Sequence, residues 1–112
     1  SLKMYFGGRC AVITITQDMF AKSGADDSET DAIPGLSRQI EGVEAGITLK
    51  EGKDGTFKIS VRTHAPIDAS AICKALGGGG HVRAAGCRIR GSRDEAERLV
   101  LEQVEKALSV NE

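Results

Sequence analysis

Residues 43–62, VEAGITLKEGKDGTFKISVR, consist of two alternating apolar and polar runs joined by a glycine-containing turn. The apolar positions of the two runs each fall on one face: Val43, Ala45, Ile47 and Leu49, then Phe57, Ile59 and Val61. The intervening residues 51–55, EGKDG, are typical of a tight turn. The stretch therefore predicts an antiparallel hairpin with strands at 43–49 and 56–62, whose other face carries Lys58, Ser60 and Arg62.

The sequence on both sides of the hairpin alternates between helical and strand patterns. Strands are predicted at 10–16 and 86–90, and short helices at 17–23 and 33–41. Asp68 caps a predicted helix over 68–76, which Gly77 ends, and a capping box at Ser92–Glu95 opens a longer one over 93–108. The order predicts an α/β (α+β) fold: a mixed sheet of about four to five strands with helices packed against it, and a glycine-rich loop after a helix.

Composition limits the classes of protein to which the chain could belong. It has 112 residues, 40% hydrophobic and 28% charged, and we expect one globular domain over 1–112. The net charge of −1 excludes a long basic track, so any nucleic-acid contact must be local. The three cysteines, Cys10, Cys73 and Cys87, form no CxxC pair and lie among apolar residues, which predicts buried free thiols rather than disulfides or a zinc site. We expect a cytoplasmic protein, since no signal peptide or long apolar run is present.

Residues 77–86, GGGGHVRAAG, depart from the pattern of a generic α/β domain. One glycine is enough to end a helix, and each further glycine costs about 0.5–1 kcal/mol of conformational entropy. Two interpretations remain open from these residues alone. The run is either a flexible hinge with His81 packed beside it, or a main chain left bare so that its N–H groups can bind an anion.

Two other groups of polar residues invite a functional interpretation. Arg62 ends the second hairpin strand, and its guanidinium suits bidentate phosphate binding if the fold brings it beside the glycine run. Residues 25–31, ADDSETD, hold four acids in seven positions. We interpret them as a solvated loop, with a metal site as the alternative.

The chain resembles the DHH-associated domain, the C-terminal domain of DHH-family phosphoesterases. The resemblance rests on GGGGHVRAAG at 77–86, on RQIEGVEAGITLKE at 38–51 followed by a glycine turn, and on KISVRT at 58–63 before Ile67-Asp68. This order is similar to that of the bacterial nanoRNase and 3′-phosphoadenosine-5′-phosphate phosphatase branch. The similarity extends over residues 10–108.

The resemblance implies that the chain is the substrate-binding lobe of a two-domain enzyme and is inactive alone. It places the substrate contacts on Arg62, Thr63, Gly78, Gly79, Gly80 and His81, with no catalytic residue and no metal ligand in this chain. Two manganese ions are expected in a preceding Asp- and His-rich DHH domain. The expected ligand is a short RNA or a small nucleotide, and the full-length protein could form a homodimer.

Three other functions remain open at this stage. The same lobe occurs in cyclic-dinucleotide phosphodiesterases and RecJ-like single-strand exonucleases. A related glycine-rich domain is associated with alanyl-tRNA synthetases, but its glycine run is not usually followed by the sequence His-x-x-Ala-Ala-Gly. The third alternative is a nucleic-acid-binding module without enzymatic function.

Overall fold

The computed structural model describes residues 2–18 and 39–110. The acidic run at 25–31 and most of both predicted short helices, at 17–23 and 33–41, lie outside these ranges. The described part contains six strands and two α-helices, with a 3₁₀ turn at Phe6–Gly8. The strands are β1 Leu2–Tyr5, β2 Cys10–Ile15, β3 Ala45–Glu51, β4 Thr56–Thr63, β5 Gly79–Gly80 and β6 Ala84–Arg90. The helices are α1 Ala69–Lys74 and α2 Arg93–Val110.

The six strands form one mixed sheet in the order β1-β2-β3-β4-β6-β5. Only β2 and β3 are parallel neighbours, and the other neighbours are antiparallel. The predicted hairpin is confirmed as β3 and β4, which pair from Ala45↔Thr63 to Glu51↔Phe57. The fold class is therefore the predicted one.

Both helices pack on one face of the sheet, which we call the inner face; the opposite one is the outer face. The inner-face residues of β3 and β4 are the apolar ones identified from the alternation, and Ile47, Leu49, Ile59 and Val61 are completely buried. From α2, Ala96, Val100, Val104 and Leu108 complete this core. The predicted capping box is present in part, since the Glu95 amide donates to the Ser92 hydroxyl at 3.2 Å.

Two of the six strands, β1 and β5, are additional to the four that were located in the sequence. β1 has only four residues and lies at the sheet edge, where the alternation of Leu2 to Tyr5 is too short to distinguish a strand. β5 consists of two glycines and has no intrinsic strand preference. It is a strand because it pairs with β6, a tertiary contact that no local pattern reveals.

The cysteines behave as predicted, because all three are free and buried. Burial raises the pKa of Cys10 to about 12. A hydrogen bond between the Cys73 and Cys87 thiols raises the pKa of Cys73. These residues connect α1 to β6 directly beneath the glycine run. No helix in the described ranges has the length and apolar character needed to cross a membrane.

An interaction that the sequence did not predict ties the edge strand to α2. The Tyr5 hydroxyl donates to the carboxylate of Glu97, whose residue is only 8% exposed. This hydrogen bond is the main reason why the pKa of Tyr5 is raised from 10.0 to about 12. A raised pKa means that the folded state favours the protonated phenol, so the resulting stability is present below about pH 10 and is lost between about pH 10 and 12.

Replacing Tyr5 with Phe should lower the free energy of unfolding by about 1–3 kcal/mol near neutral pH, because a buried acceptor loses its donor. Urea unfolding at about pH 7 and about pH 11 checks this, and the wild-type advantage should shrink at the higher pH. Since the chain has one tyrosine, tyrosinate absorbance reports the pKa directly. A wild-type advantage that stays constant across this pH range would contradict the assignment.

Candidate functional site

The glycine run begins as the end of α1 and continues as the last strand of the sheet. Gly77 has a φ of +90°, a left-handed conformation that glycine adopts without strain. The Gly77 amide donates to the Lys74 carbonyl at 3.1 Å and the Gly78 amide to the Cys73 carbonyl at 2.8 Å. The hypothesis that all four amides are bare is therefore wrong for Gly77 and Gly78, which use theirs to end the helix.

The need for glycine at two further positions of the run follows from its contact with β6. A Cβ added at Gly78 would lie 2.2 Å from the Gly86 carbonyl oxygen and 2.5 Å from the Cys87 Cβ. A Cβ at Gly80 would lie 2.7 Å from the Ala85 Cα. A Cβ at Gly79, in contrast, would meet nothing within 4 Å. Close packing thus explains the absence of a side chain at Gly78 and Gly80, but not at Gly79.

The pairing of β5 with β6 decides which main-chain groups remain available. The His81 amide donates to the Ala84 carbonyl at 2.8 Å, and the Ala84 amide returns a bond of 3.2 Å. Hydrogen-bonded and non-hydrogen-bonded pairs alternate along an antiparallel ladder. The next hydrogen-bonded pair after His81 and Ala84 is therefore Gly79 with Gly86, and the pair of Gly80 with Ala85 between them is not hydrogen-bonded. Of the four glycine amides, that of Gly80 is therefore the one directed at neither α1 nor β6, and it points toward the open edge of the sheet.

Arg62 lies on the outer face, at the same level as the turn that follows β5. It is partly exposed and pairs with Gly46 on one side and Ala84 on the other. Directly paired residues share a face, so the outer face also includes Gly86 and, beyond it, Gly79. His81, opposite Ala84, lies two strands from Arg62, or about 10 Å.

These positions form a continuous surface with a cation at one side, an imidazole at the other, and almost no side chains between them. We call it the glycine–arginine surface; its residues are Arg62, Gly79, His81, Ala84 and Gly86. Arg62 has no ion-pair partner among the described residues. The structure thus brings together three of the predicted site residues, Arg62, Gly79 and His81, with the Gly80 amide at the adjacent edge.

Thr63 does not lie on the glycine–arginine surface, where a residue that contacts the ligand is expected. It is on the inner face and completely buried, and its hydroxyl donates to the Ile67 carbonyl at 2.7 Å. The Val82 carbonyl is 3.2 Å from the same oxygen, and the Thr63 amide donates to the Arg83 carbonyl at 3.0 Å. The hydroxyl bond joins the end of β4 to the loop before α1, and the amide bond joins it to the turn between β5 and β6. In this structure Thr63 positions the glycine–arginine surface from beneath.

Arg83 is a candidate that the sequence indicated only through its charge. It lies in the turn after His81, and its Nη1 atom is buried without a hydrogen-bond partner. A buried guanidinium nitrogen without a partner is unfavourable unless an anion or water satisfies it. Nearby Asp68 caps α1; its pKa is lowered mainly by the Ser70 hydroxyl and then by the Ala71 amide, with Arg83 adding a smaller effect.

Comparisons with known proteins identify the family of the chain. Residues 7–110 match the DHHA1 domain family. The chain is 34% identical over 110 residues to the bifunctional oligoribonuclease and PAP phosphatase NrnA of Thermus thermophilus, covering 97% of this chain and 32% of that protein. The chain therefore spans about a third of the length of this curated relative.

Solved structures share the fold at lower sequence identity. An exopolyphosphatase-related protein from Bacteroides fragilis superimposes with a TM-score of 0.86 at 23% identity, over 95% of this chain and 31% of that one. The C-Ala domain of Aquifex aeolicus alanyl-tRNA synthetase gives a TM-score of 0.60 at 11% identity, over 92% and 95% of the two chains. Because the family match covers nearly the whole chain, including the glycine run, this protein belongs to the DHHA1 domain family.

Proposed function

We propose that this chain is the substrate-binding lobe of a manganese-dependent phosphoesterase that degrades short oligoribonucleotides, 3′-phosphoadenosine-5′-phosphate, or both. The observation that carries the proposal is the position of Arg62 on the same face as the bare surface of Gly79. A guanidinium on the same face as a main chain without side chains suits a phosphate, which needs close approach and charge-assisted hydrogen bonds.

Each residue of the glycine–arginine surface has a distinct part in this proposal. Arg62 supplies charge and paired N–H donors to the phosphate. Because Gly79 has no side chain, the ligand can reach the main chain at this position. The Gly80 amide is a further hydrogen-bond donor at the edge of the surface. The His81 ring can donate a hydrogen bond to a phosphate or a sugar oxygen. Gly78 and Thr63 hold these groups in place without touching the ligand.

The catalytic step is assigned to a different part of the enzyme. Residues 2–18 and 39–110 contain no group of three His, Cys, Asp or Glu side chains that could hold a metal ion. The proposal gives these residues no part in binding the metal ions. In the proposal, a DHH domain in the same polypeptide holds two manganese ions, and this lobe presents the scissile phosphate to them.

The substrate class rests on the named function of the relative from Thermus thermophilus, which is an oligoribonuclease and PAP phosphatase. A pGpG-specific phosphodiesterase from Vibrio cholerae has the same fold, with a TM-score of 0.54 at 19% identity over 98% of this chain and 34% of that one. Since pGpG is a linear dinucleotide, the named substrates of both proteins include short RNA, which favours short RNA over the alternative of a cyclic-dinucleotide phosphodiesterase or a RecJ-like exonuclease.

A titration of the ¹⁵N-labelled chain with diadenylate tests the proposal. We expect amide shifts at Gly79, Gly80 and His81 and at the Arg62 side chain. Replacing Arg62 with Ala should weaken binding by about 1.5–3 kcal/mol, or roughly ten- to a hundredfold, because the variant has no charge-assisted hydrogen bond to offer the phosphate. Replacing Arg98 with Ala is the matched control, since Arg98 is an exposed arginine on α2.

The proposal predicts a specific pattern of shifts and a specific variant. Shifts confined to the exposed side of α2 would place the ligand on the helical layer and contradict the assignment. Equal loss of affinity in the Arg62→Ala and Arg98→Ala variants would show that only net charge matters. Both results are measurable on the isolated chain and do not require an active enzyme.

A further inference from the structure

A second concentration of positive charge lies on the outer face, at the opposite ends of the same strands. Lys50 on β3 pairs with Lys58 on β4, and Lys58 pairs with Arg88 on β6. These three residues, which we call the basic row, therefore share one face and one level of the sheet. Since adjacent strands lie about 4.8 Å apart, their backbones fall within about 10 Å of one another.

Like charges directly opposite one another on neighbouring strands are unfavourable. Lys58 and Arg88 are exposed, and neither has an ion-pair partner in the described part of the chain. The basic row lines a cavity of about 490 Å³, to which Lys53 and Gln17 also contribute. The arrangement is a cationic concavity, on a chain whose net charge is only −1.

Two acidic residues also line the cavity, but both carboxylates accept hydrogen bonds from other residues of the chain. The Glu51 carboxylate accepts from the Gln17 amide at 2.6 Å. The Asp54 carboxylate accepts from the Thr56 hydroxyl and, at 3.2 Å, from the Thr56 amide. The hydroxyl bond is the main reason why the pKa of Asp54 lies below its usual value. Asp54 thus shapes the hairpin turn and Glu51 ties the residue after β2 to the end of β3, while Lys58 and Arg88 remain available to an anion.

The basic row is in line with the glycine–arginine surface. Lys58 and Arg62 are four residues apart on β4 and point to the same side, so their backbones are separated by about 13 Å. Between them the outer face presents Ser60 and, paired with it, Gly86. No large side chain of β4 or β6 interrupts this path, which leads from one cationic site to the other.

We propose that the basic row is a second phosphate-binding site, which holds the backbone of a single-stranded oligonucleotide whose terminal nucleotide occupies the glycine–arginine surface. This inference rests on the proposed function and extends it to ligand length. A mononucleotide or a dinucleotide is too short to span both sites, whereas a strand of several nucleotides spans them along β4. Affinity therefore increases with length until the basic row is occupied.

Fluorescence anisotropy with labelled diadenylate and pentaadenylate provides the test. The wild-type chain should bind pentaadenylate more tightly. The double variant Lys58→Gln, Arg88→Gln should lose about tenfold in pentaadenylate affinity and keep its diadenylate affinity, because it removes two solvent-exposed charges that only the longer strand reaches. The slope of log K against log salt should fall by about 0.7 for each phosphate that the variant no longer neutralises.

The matched control removes the same charge from the helical layer. The variant Arg98→Gln, Lys106→Gln should bind both oligonucleotides like the wild type, and urea unfolding confirms that each variant is folded. If the basic-row variant binds pentaadenylate unchanged while Arg62→Ala still weakens diadenylate, the second site is excluded and the proposed function stands. If the wild type binds neither oligonucleotide, both ideas fail. Equally tight binding of a pentaglutamate peptide would also overturn the proposal, since the row would then be a general anion site.

Discussion

The Gly78→Ala variant is expected to lose about 3 kcal/mol of unfolding free energy, close to the upper end of what overpacking a folded interior costs. The reason is steric. The new Cβ would lie 2.2 Å from the Gly86 carbonyl oxygen and 2.8 Å from the Cys87 Cα, and both are main-chain atoms of β6. Main-chain atoms cannot rotate away as a flexible side chain can, so β5 must separate from β6 or α1 must shift.

Urea unfolding followed by circular dichroism measures this loss, and Gly79→Ala is the matched control. The two glycines are adjacent, and neither has a φ in the left-handed region. Only Gly78 faces atoms within 4 Å, so the control should change the unfolding free energy by less than about 1 kcal/mol. Similar losses in both variants would indicate a general need for flexibility in the run and would contradict the packing explanation.

The Gly79→Val variant should keep the fold and lose diadenylate affinity by at least roughly a hundredfold, or about 2.7 kcal/mol. Gly79 pairs with Gly86, so a side chain at this position points to the outer face, the face that also carries Arg62. A branched side chain there would cover the main chain of the glycine–arginine surface and prevent a phosphate from contacting it. Direct titration by calorimetry measures the affinity.

The substitution Gly42→Ala serves as a control, since it also adds a side chain where no atom lies within 4 Å, in a turn away from β5. It should bind diadenylate normally, whatever its left-handed φ of +84° costs in stability. If Gly79→Val binds normally and is folded, then the open space at Gly79 is not a ligand site. Loss of folding in Gly79→Val, measured by circular dichroism, would instead support the hinge interpretation of the glycine run.

The sequence predicts the local parts of this fold well. Alternation identified β3 and β4, including the face that carries Lys58, Ser60 and Arg62, because the strands are joined by a short turn that fixes their partner. The capping residue Ser92 located the start of α2. The parallel pairing of β2 with β3 was beyond local patterns, since no periodicity within a strand specifies which distant strand will lie beside it.

The candidate site was predictable as a region but not residue by residue. The glycine run indicated a bare main chain, yet the structure divides its members into helix end, close packing and open surface. That division depends on the distance to β6, which the sequence does not contain. Two members of the basic row are predictable from the sequence, because the hairpin register alone places Lys50 opposite Lys58. The third member, Arg88, is not predictable in this way, because its position depends on the pairing of β6 with β4.

The buried hydroxyl of Thr63 has a thermodynamic consequence for the ligand. This hydroxyl fixes the loop before α1 to the end of β4, and the Thr63 amide fixes the turn between β5 and β6 there, before any ligand arrives. A preorganised surface has little conformational entropy to lose on association, so more of the contact energy appears as affinity. Ligand binding should therefore raise the melting temperature of the whole domain with only a small change in heat capacity, unlike a loop that folds around its target.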